Sequence, residues 1–158
     1  MKKNILVTGG AGYIGSMLVT KLVLEKHNVT VLDSFEYTRD SLNHLYFFNN
    51  FKVIEGDVRD KSLLKKNILN QDFLIPLAAL VGAPLCEKNK KKAIDVNFNS
   101  ILTILRNVKK YQKIIFPTSN SGYGIGEKNK YCDENSSLKP ISLYGRTKVQ
   151  AEKIVMNY

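Results

Sequence analysis

Seven residues near the start of the chain, Gly9-Gly10-Ala11-Gly12-Tyr13-Ile14-Gly15, restrict its fold more than any other stretch. The apolar run Ile5-Leu6-Val7-Thr8 precedes them and a helical pattern follows. Loops are often glycine-rich for ordinary steric reasons. Between a strand and a helix, however, this spacing has a specific meaning. Gly9 permits a tight turn, Gly12 lets the backbone approach a pyrophosphate, and Gly15 allows the helix to pack closely on the strand. Tyr13 and Ile14 fall in the first helical turn, whose unpaired N–H groups and positive dipole end favour phosphate. The expectation is a dinucleotide-binding turn.

The rest of the chain continues the alternation that this turn begins. The runs 4–8, 29–33, 51–55, 73–79 and 113–118 read as strands, rich in Ile, Val, Leu and Phe without clean alternation, as suits strands buried on both faces. The stretches 12–25, 61–68 and 93–110 read as helices, and a last one runs from about Leu143 to the end, after a polar loop over 119–142. Short strands alternating with longer helices predict an α/β fold with a doubly wound parallel sheet. Pro76 conflicts with a central strand because it lacks a ladder donor, so a bulge or a later strand start is expected there. A doubly wound sheet normally continues beyond such a fifth strand. The stop at Tyr158 therefore predicts either a fragment or a partner covering the open flank.

At 158 residues, 44% hydrophobic and 24% charged, the chain suits one ordinary globular domain. Its apolar runs are too short to span a bilayer and its first residues lack a signal-peptide pattern, so a cytoplasmic protein without membrane contact is expected. The net charge of +10 raises the question of nucleic acid. The lysines are scattered, though, and the one dense run, 88–92, has no interleaved aromatics for base stacking. A solvated face is the better reading, with anionic small ligands benefiting from the excess charge. Cys86 and Cys132 form no disulfide framework or metal-ligand spacing, and no metal site is expected.

Acidic residues at the strand ends refine the cofactor. Asp33 closes the second strand, where a carboxylate can accept hydrogen bonds from ribose hydroxyls and repel a 2′-phosphate, favouring NAD over NADP. Arg39, close behind, keeps NADP open. Asp33 read more plainly is a strand-end turn residue. Asp57 ends the third strand and either meets the adenine amino group or caps the next helix.

A second constellation is Tyr144-Gly145-Arg146-Thr147-Lys148. Positions 144 and 148 share one helix face. An ordinary phenol titrates near pH 10, too high for a base at neutrality, and a nearby ammonium lowers that value. The pair can thus supply a general base for an alcohol losing its hydride. Taken alone, such a pair is more often an exposed helix face; beside the glycine turn the catalytic reading is stronger. Residues 116–124 leave the fifth strand at its carboxyl end, where Ser119 can hold a substrate oxygen, or simply begin a polar loop.

Together, residues 8–15, Glu55-Gly56-Asp57-Val58, Leu77-Ala78-Ala79, Asn97 and 144–148 resemble the extended short-chain dehydrogenases, and more narrowly the NAD-dependent epimerase/dehydratase group acting on sugar nucleotides. The resemblance runs from Lys3 to the end. It implies a Rossmann-like domain holding NAD, with Ser119, Tyr144 and Lys148 catalytic and Lys148 bridging Tyr144 and the nicotinamide ribose. It also implies Asp57 and Val58 at the adenine, Leu77, Ala78 and Ala79 beside the cofactor, Asn97 in a structural role, a nucleotide-sugar substrate, and a homodimer through the active-site helices.

Three departures bear on function. Dehydratases of the group carry an acidic pair after the catalytic Ser/Thr, whereas this chain has Asn120 and Ser121, which favours epimerisation or oxidation over elimination of water. Pro76 stands where His is usual. The family also continues past the point where this chain stops, into the region that completes the sugar pocket. The rival expectations are a reductase or dehydrogenase of a non-sugar alcohol or ketone, a non-catalytic dinucleotide-binding module, and a truncated, inactive product.

Overall fold

A computed structural model describes residues 1–126 and 131–158. The centre of the expected polar loop, 127–130, lies outside the described residues. The chain divides into two compact units, one of Met1–Ala78 with Thr103–Pro117 and one of Ala79–Leu102 with Thr118–Tyr158.

The first unit contains a five-stranded parallel sheet of β1 (Asn4–Thr8), β2 (Asn28–Asp33), β3 (Phe51–Glu55), β4 (Phe73–Pro76) and β5 (Lys113–Ile114), in the order β3-β2-β1-β4-β5. The chain builds outward from β1 in one direction and then returns to build in the other. The crevice between β1 and β4 is therefore the switch point where ligands bind in such sheets. Ile5, Leu6, Val7, Val29, Val31 and Leu32 are all nearly inaccessible, as expected of strands covered on both faces.

Helix α1 (Tyr13–Leu24) buries Gly15, Val19 and Val23, a stripe at every fourth position, against a core that includes Ile5, Val7, Val29, Val31 and Ile75. It ends in a Schellman motif: Lys26 N–H bonds Val23 C=O and His27 N–H bonds Leu22 C=O. Lys26, with φ of 69°, occupies the left-handed position usually taken by glycine. A 3₁₀ turn spans Asp40–Leu45 and buries Leu42 and Leu45. Helix α2 (Lys61–Ile68) is capped by Asp60, whose carboxylate accepts the N–H groups of Ser62 and Leu63 at 2.9 and 3.0 Å.

Two strands are shorter than expected. β4 ends at Pro76, with neither a bulge nor a late start. Leu77 N–H bonds Thr8 C=O at 2.9 Å while Leu74 C=O accepts from Ile115 N–H, so alternate residues address alternate neighbours. The nitrogen of Pro76 faces the β5 side, where strand pairing stops at Ile114. No donor is needed there. Leu77 to Ala79 consequently lie beyond the strand, and residues 115–118 lie beyond β5.

The second unit is built from α3 (Ala83–Lys88), α4 (Lys90–Ile94) and α6 (Leu143–Met156), with the first residues of α5 (Ser100–Asn107). A π-helical turn, Asp95–Asn99, joins α4 to α5. The single helix expected over 93–110 is thus extended at its start, interrupted in the middle and three residues shorter at its end. α3 was not expected, because only Cys86 of its six residues is buried and no apolar stripe marks it. The lysines at 88, 90 and 91 are exposed, and Lys91 pairs with Asp95 at 2.9 Å. Cys86 is buried and Cys132 exposed, both as free thiols. No helix among the described residues is long and apolar enough to cross a membrane.

Candidate functional site

In the first unit the turn after β1 depends on its glycines for close passage of the chain. Gly9 has φ of 72°, and a β-carbon there would lie 2.5 Å from Ala78 N. A β-carbon on Gly15 would be driven into the Gly9 carbonyl oxygen and the Gly10 backbone. Both glycines let chain pass chain. Gly12 differs: a β-carbon there would meet only Gly9 O, at 3.3 Å, and otherwise open space. Its bareness serves no packing inside the protein and leaves the backbone approachable from outside. Gly12 is also the cap residue of α1, no side chain caps that helix, and its first turn carries no acidic residue. Exposed Tyr13 and Ile14 flank these N–H groups. An anion is the natural complement of such an end.

Asp33 does more than end a strand. Its Oδ2 accepts Ala11 N–H at 2.8 Å and its Oδ1 accepts Phe35 N–H at 2.9 Å. Ser41 Oγ donates to Ala11 C=O at 2.8 Å, so both backbone polar groups of the turn's central residue are held. A carboxylate has about four lone-pair sites, so Asp33 retains acceptor capacity for a diol. Thr8, nearly inaccessible, accepts Ala78 N–H on its hydroxyl at 3.4 Å and positions Leu77 and Ala78 across the switch point. Nothing in the sequence marks Ser41 or Thr8 for these contacts, since a polar residue bonding backbone carries no spacing signal.

Asp57 is not the cap of α2; Asp60 is. The Asp57 carboxylate instead accepts Arg59 N–H at 2.8 Å and pairs with the Arg59 guanidinium. Val58 between them is buried. Arg39, at the ends of β2 and β3, is held by Glu55, with Nη1 donating to Oε2 at 2.9 Å. That pairing raises the guanidinium further above its usual range and lowers the Glu55 carboxyl, through hydrogen bonding first and charge second for Arg39.

The second unit gathers Ser119, Tyr144, Lys148 and Asn97, and contains Ala79. Ser142 caps α6 by accepting Gly145 N–H at 3.0 Å. Gly145 must be glycine, because a β-carbon would lie 2.5 Å from Ser121 O. This contact seats the Ser119–Gly122 stretch on the helix that carries Tyr144. Ser119 Oγ accepts Ser121 N–H at 3.3 Å and starts the 3₁₀ turn Asn120–Gly122. The hydroxyl therefore has a fixed place in the loop and keeps its own proton to donate.

Tyr144 is half-buried against Leu80, Cys86 and Ala93. Its carbonyl accepts from Thr147 Oγ1 at 2.9 Å. Asn97 Nδ2 donates to Thr147 Oγ1 at 3.4 Å and to Leu80 C=O at 3.0 Å, while its Oδ1 accepts Leu80 N–H at 2.8 Å. Asn97 is 3% exposed and sits in the π-helical turn. It thus ties the 79–81 segment to α6. Lys148 is only 7% exposed. Burial pushes its ammonium down to about 8, against a smaller opposing pull from Glu152. A lysine on a solvated helix face would be neither buried nor shifted.

Comparison with known proteins shows the family and the fold. The profile of the NAD dependent epimerase/dehydratase family matches residues 5–158. A putative UDP-glucose 4-epimerase of Methanocaldococcus jannaschii is 35% identical over 98% of this chain and 50% of its own length. A UDP-glucose 4-epimerase of Lactobacillus helveticus is 34% identical over 96% of this chain and 46% of its own. Among solved structures, Pal from Bacillus thuringiensis superposes with a TM-score of 0.90 at 27% identity, covering 98% of this chain and 51% of that one. UDP-glucose 4-epimerase from Brucella ovis in complex with NAD does so with a TM-score of 0.85 at 26% identity, over 99% and 47%. The chain spans about half the length of the relatives it matches. A profile match over nearly every residue, on a parallel Rossmann-like sheet, places the chain in the NAD-dependent epimerase/dehydratase family.

Proposed function

We propose that this chain supplies the cofactor-binding and proton-transferring residues of an NAD-dependent sugar-nucleotide epimerase or closely related oxidoreductase. The observation that carries the reading is Lys148, a buried lysine one helical turn beyond Tyr144. Gly9, Gly12, Tyr13, Ile14 and Gly15 would receive the pyrophosphate, Asp33 the adenosine ribose, Asp57 and Val58 the adenine. Leu77, Ala78 and Ala79 would line the cofactor's path. The open side of Gly12 and the uncapped end of α1 fit that group. When bound, NAD takes up and returns a hydride.

The protein's part is the proton. Tyr144 Oη takes it from the sugar carbinol and can give it back after the intermediate turns over in the pocket. Lys148, charged below about pH 8, favours the phenolate and offers an ammonium to the nicotinamide ribose. Ser119 donates a hydrogen bond to the reacting oxygen. Asn120 and Ser121 follow it, so no acidic pair stands ready for elimination of water. A nucleotide sugar is the substrate class suggested by the relatives, and a homodimer through the active-site helices belongs to the same reading.

The 158-residue chain is expected to bind NAD and ADP-ribose equally and to turn over sugar nucleotides poorly or not at all, the remaining sugar pocket being supplied by residues outside it. Calorimetry with both ligands tests this. NAD binding far tighter than ADP-ribose, or robust epimerisation by the purified chain, would overturn it.

A further inference from the structure

The ion pair between Arg39 and Glu55 occupies an unusual place. Glu55 is the last residue of β3 and the register partner of Asp33, the last residue of β2. Gly56 N–H bonds Asp33 C=O at 2.8 Å, so the two strand ends are fastened together. Arg39 reaches back onto them from the following segment. Its guanidinium lies 5.5 Å from the centroid of Phe35, and both Nη atoms donate to the Glu55 carboxylate. Phe35 is itself held in the left-handed region, φ of 52°, by its N–H bond to Asp33. A non-glycine residue stays there only where its surroundings compensate the strain. The Ser41 bond to Ala11 ties the same segment to the glycine turn.

We propose that Glu55 is a selectivity residue which, by occupying the fork of Arg39, denies that fork to a 2′-phosphate and so favours NAD over NADP. The inference rests on the dinucleotide reading above and extends it to a residue pair outside the turn. Arg forks bind carboxylate and phosphate in the same bidentate manner, so the two compete for one set of donors. With Arg39 held by Glu55, the group left to meet the ribose is the Asp33 carboxylate, an acceptor. A diol can donate to that carboxylate; a phosphate dianion is repelled by it. Both partners are largely exposed, so the pair adds little to folding.

The test is calorimetry of the purified chain and three variants with NAD and NADP. Glu55→Gln frees Arg39, and NADP is expected to tighten about fivefold, the usual scale for one exposed charge, while NAD changes less than about twofold. Adding Arg39→Ala to Glu55→Gln should abolish the gain, and Arg39→Ala alone should leave NADP no tighter than the parent. Unchanged NADP affinity in a Glu55→Gln variant that still binds NAD would overturn the proposal. So would a gain that survives in the double variant, because removal of a negative charge alone would then explain it. Failure of the parent chain to bind either dinucleotide would instead remove the reading on which the proposal rests. Retained NAD affinity in each variant also reports that the strand ends remain folded.

Discussion

The first unit buries Leu6, Val7, Val19, Val23, Val29 and Val31 behind its glycine turn, and its buried polar residues Thr8, Thr103 and Gln112 are all neutral. The second buries Asn97, Ser100, Thr147 and Lys148, the last being the one charged side chain among the described residues to be so buried. A backbone-lined phosphate cradle needs side chains to be absent, and the surrounding core can be wholly apolar. A proton-transfer site needs polar side chains held in place away from bulk water, and each must find partners inside. The first kind of site is specified by what is missing, the second by what is satisfied.

That contrast can be broken most directly at Gly15. Gly15→Val should cost about 3 kcal/mol of stability through overpacking against Gly9 and eliminate measurable ADP-ribose binding, read by denaturant melts and calorimetry. Near-parental binding by a folded Gly15→Val would show that the cradle does not depend on close backbone approach. In the second unit, Asn97→Leu leaves Leu80 N–H unpaired and Leu80 C=O with only the Cys86 thiol. About 2.5 kcal/mol of destabilisation is expected, with ADP-ribose affinity little changed. A loss of affinity matching the loss of stability would erase the distinction between the two regions.

Lys148→Met probes the same contrast in the opposite direction. The folded-state value near 8 lies below the unfolded value of about 10.4, so between those pH values the unfolded chain holds more protons and stability rises with pH. Below pH 8 the full charging penalty applies. The variant should therefore be about 3 kcal/mol more stable than the parent at pH 7, with the gap closing between pH 8 and about 10. A gap independent of pH would mean that Lys148 is not charged at a cost. The smallest effect is expected at Lys26→Gly, which relieves a left-handed lysine at the end of α1 and should raise the melting midpoint, by about 0.5 kcal/mol in stability.

Much of the first unit was legible in the chain itself. The boundaries of β1, β3 and α2 agree with the apolar runs and helical pattern, and β2 and α1 differ at their ends by a residue. These elements carry local signals: apolar clusters and glycine spacing. The errors fall where long-range pairing decides. Pro76 ends β4 because the neighbour that would have used its donor has already left the sheet. The break in the helix at 95–99 reflects Asn97 reaching Leu80 and Thr147, residues 17 and 50 positions away, and no local pattern encodes that. Asp57, expected either at the adenine or as the cap, is not the cap of α2, and Asp60, three residues on, takes that place.

The sequence by itself determined the parallel α/β class, the strand–turn–helix cradle, and the identity of the residues available for chemistry, since these follow from periodicity, glycine placement and side-chain type. Only the tertiary structure decided which of them work in concert. It buried Lys148, tied Asn97 to Leu80 and Thr147, clasped Ala11 between Asp33 and Ser41, and set Glu55 against Arg39. Each of these depends on groups far apart in the chain meeting at hydrogen-bonding distance, and burial and proximity are properties of the folded chain that no local pattern carries.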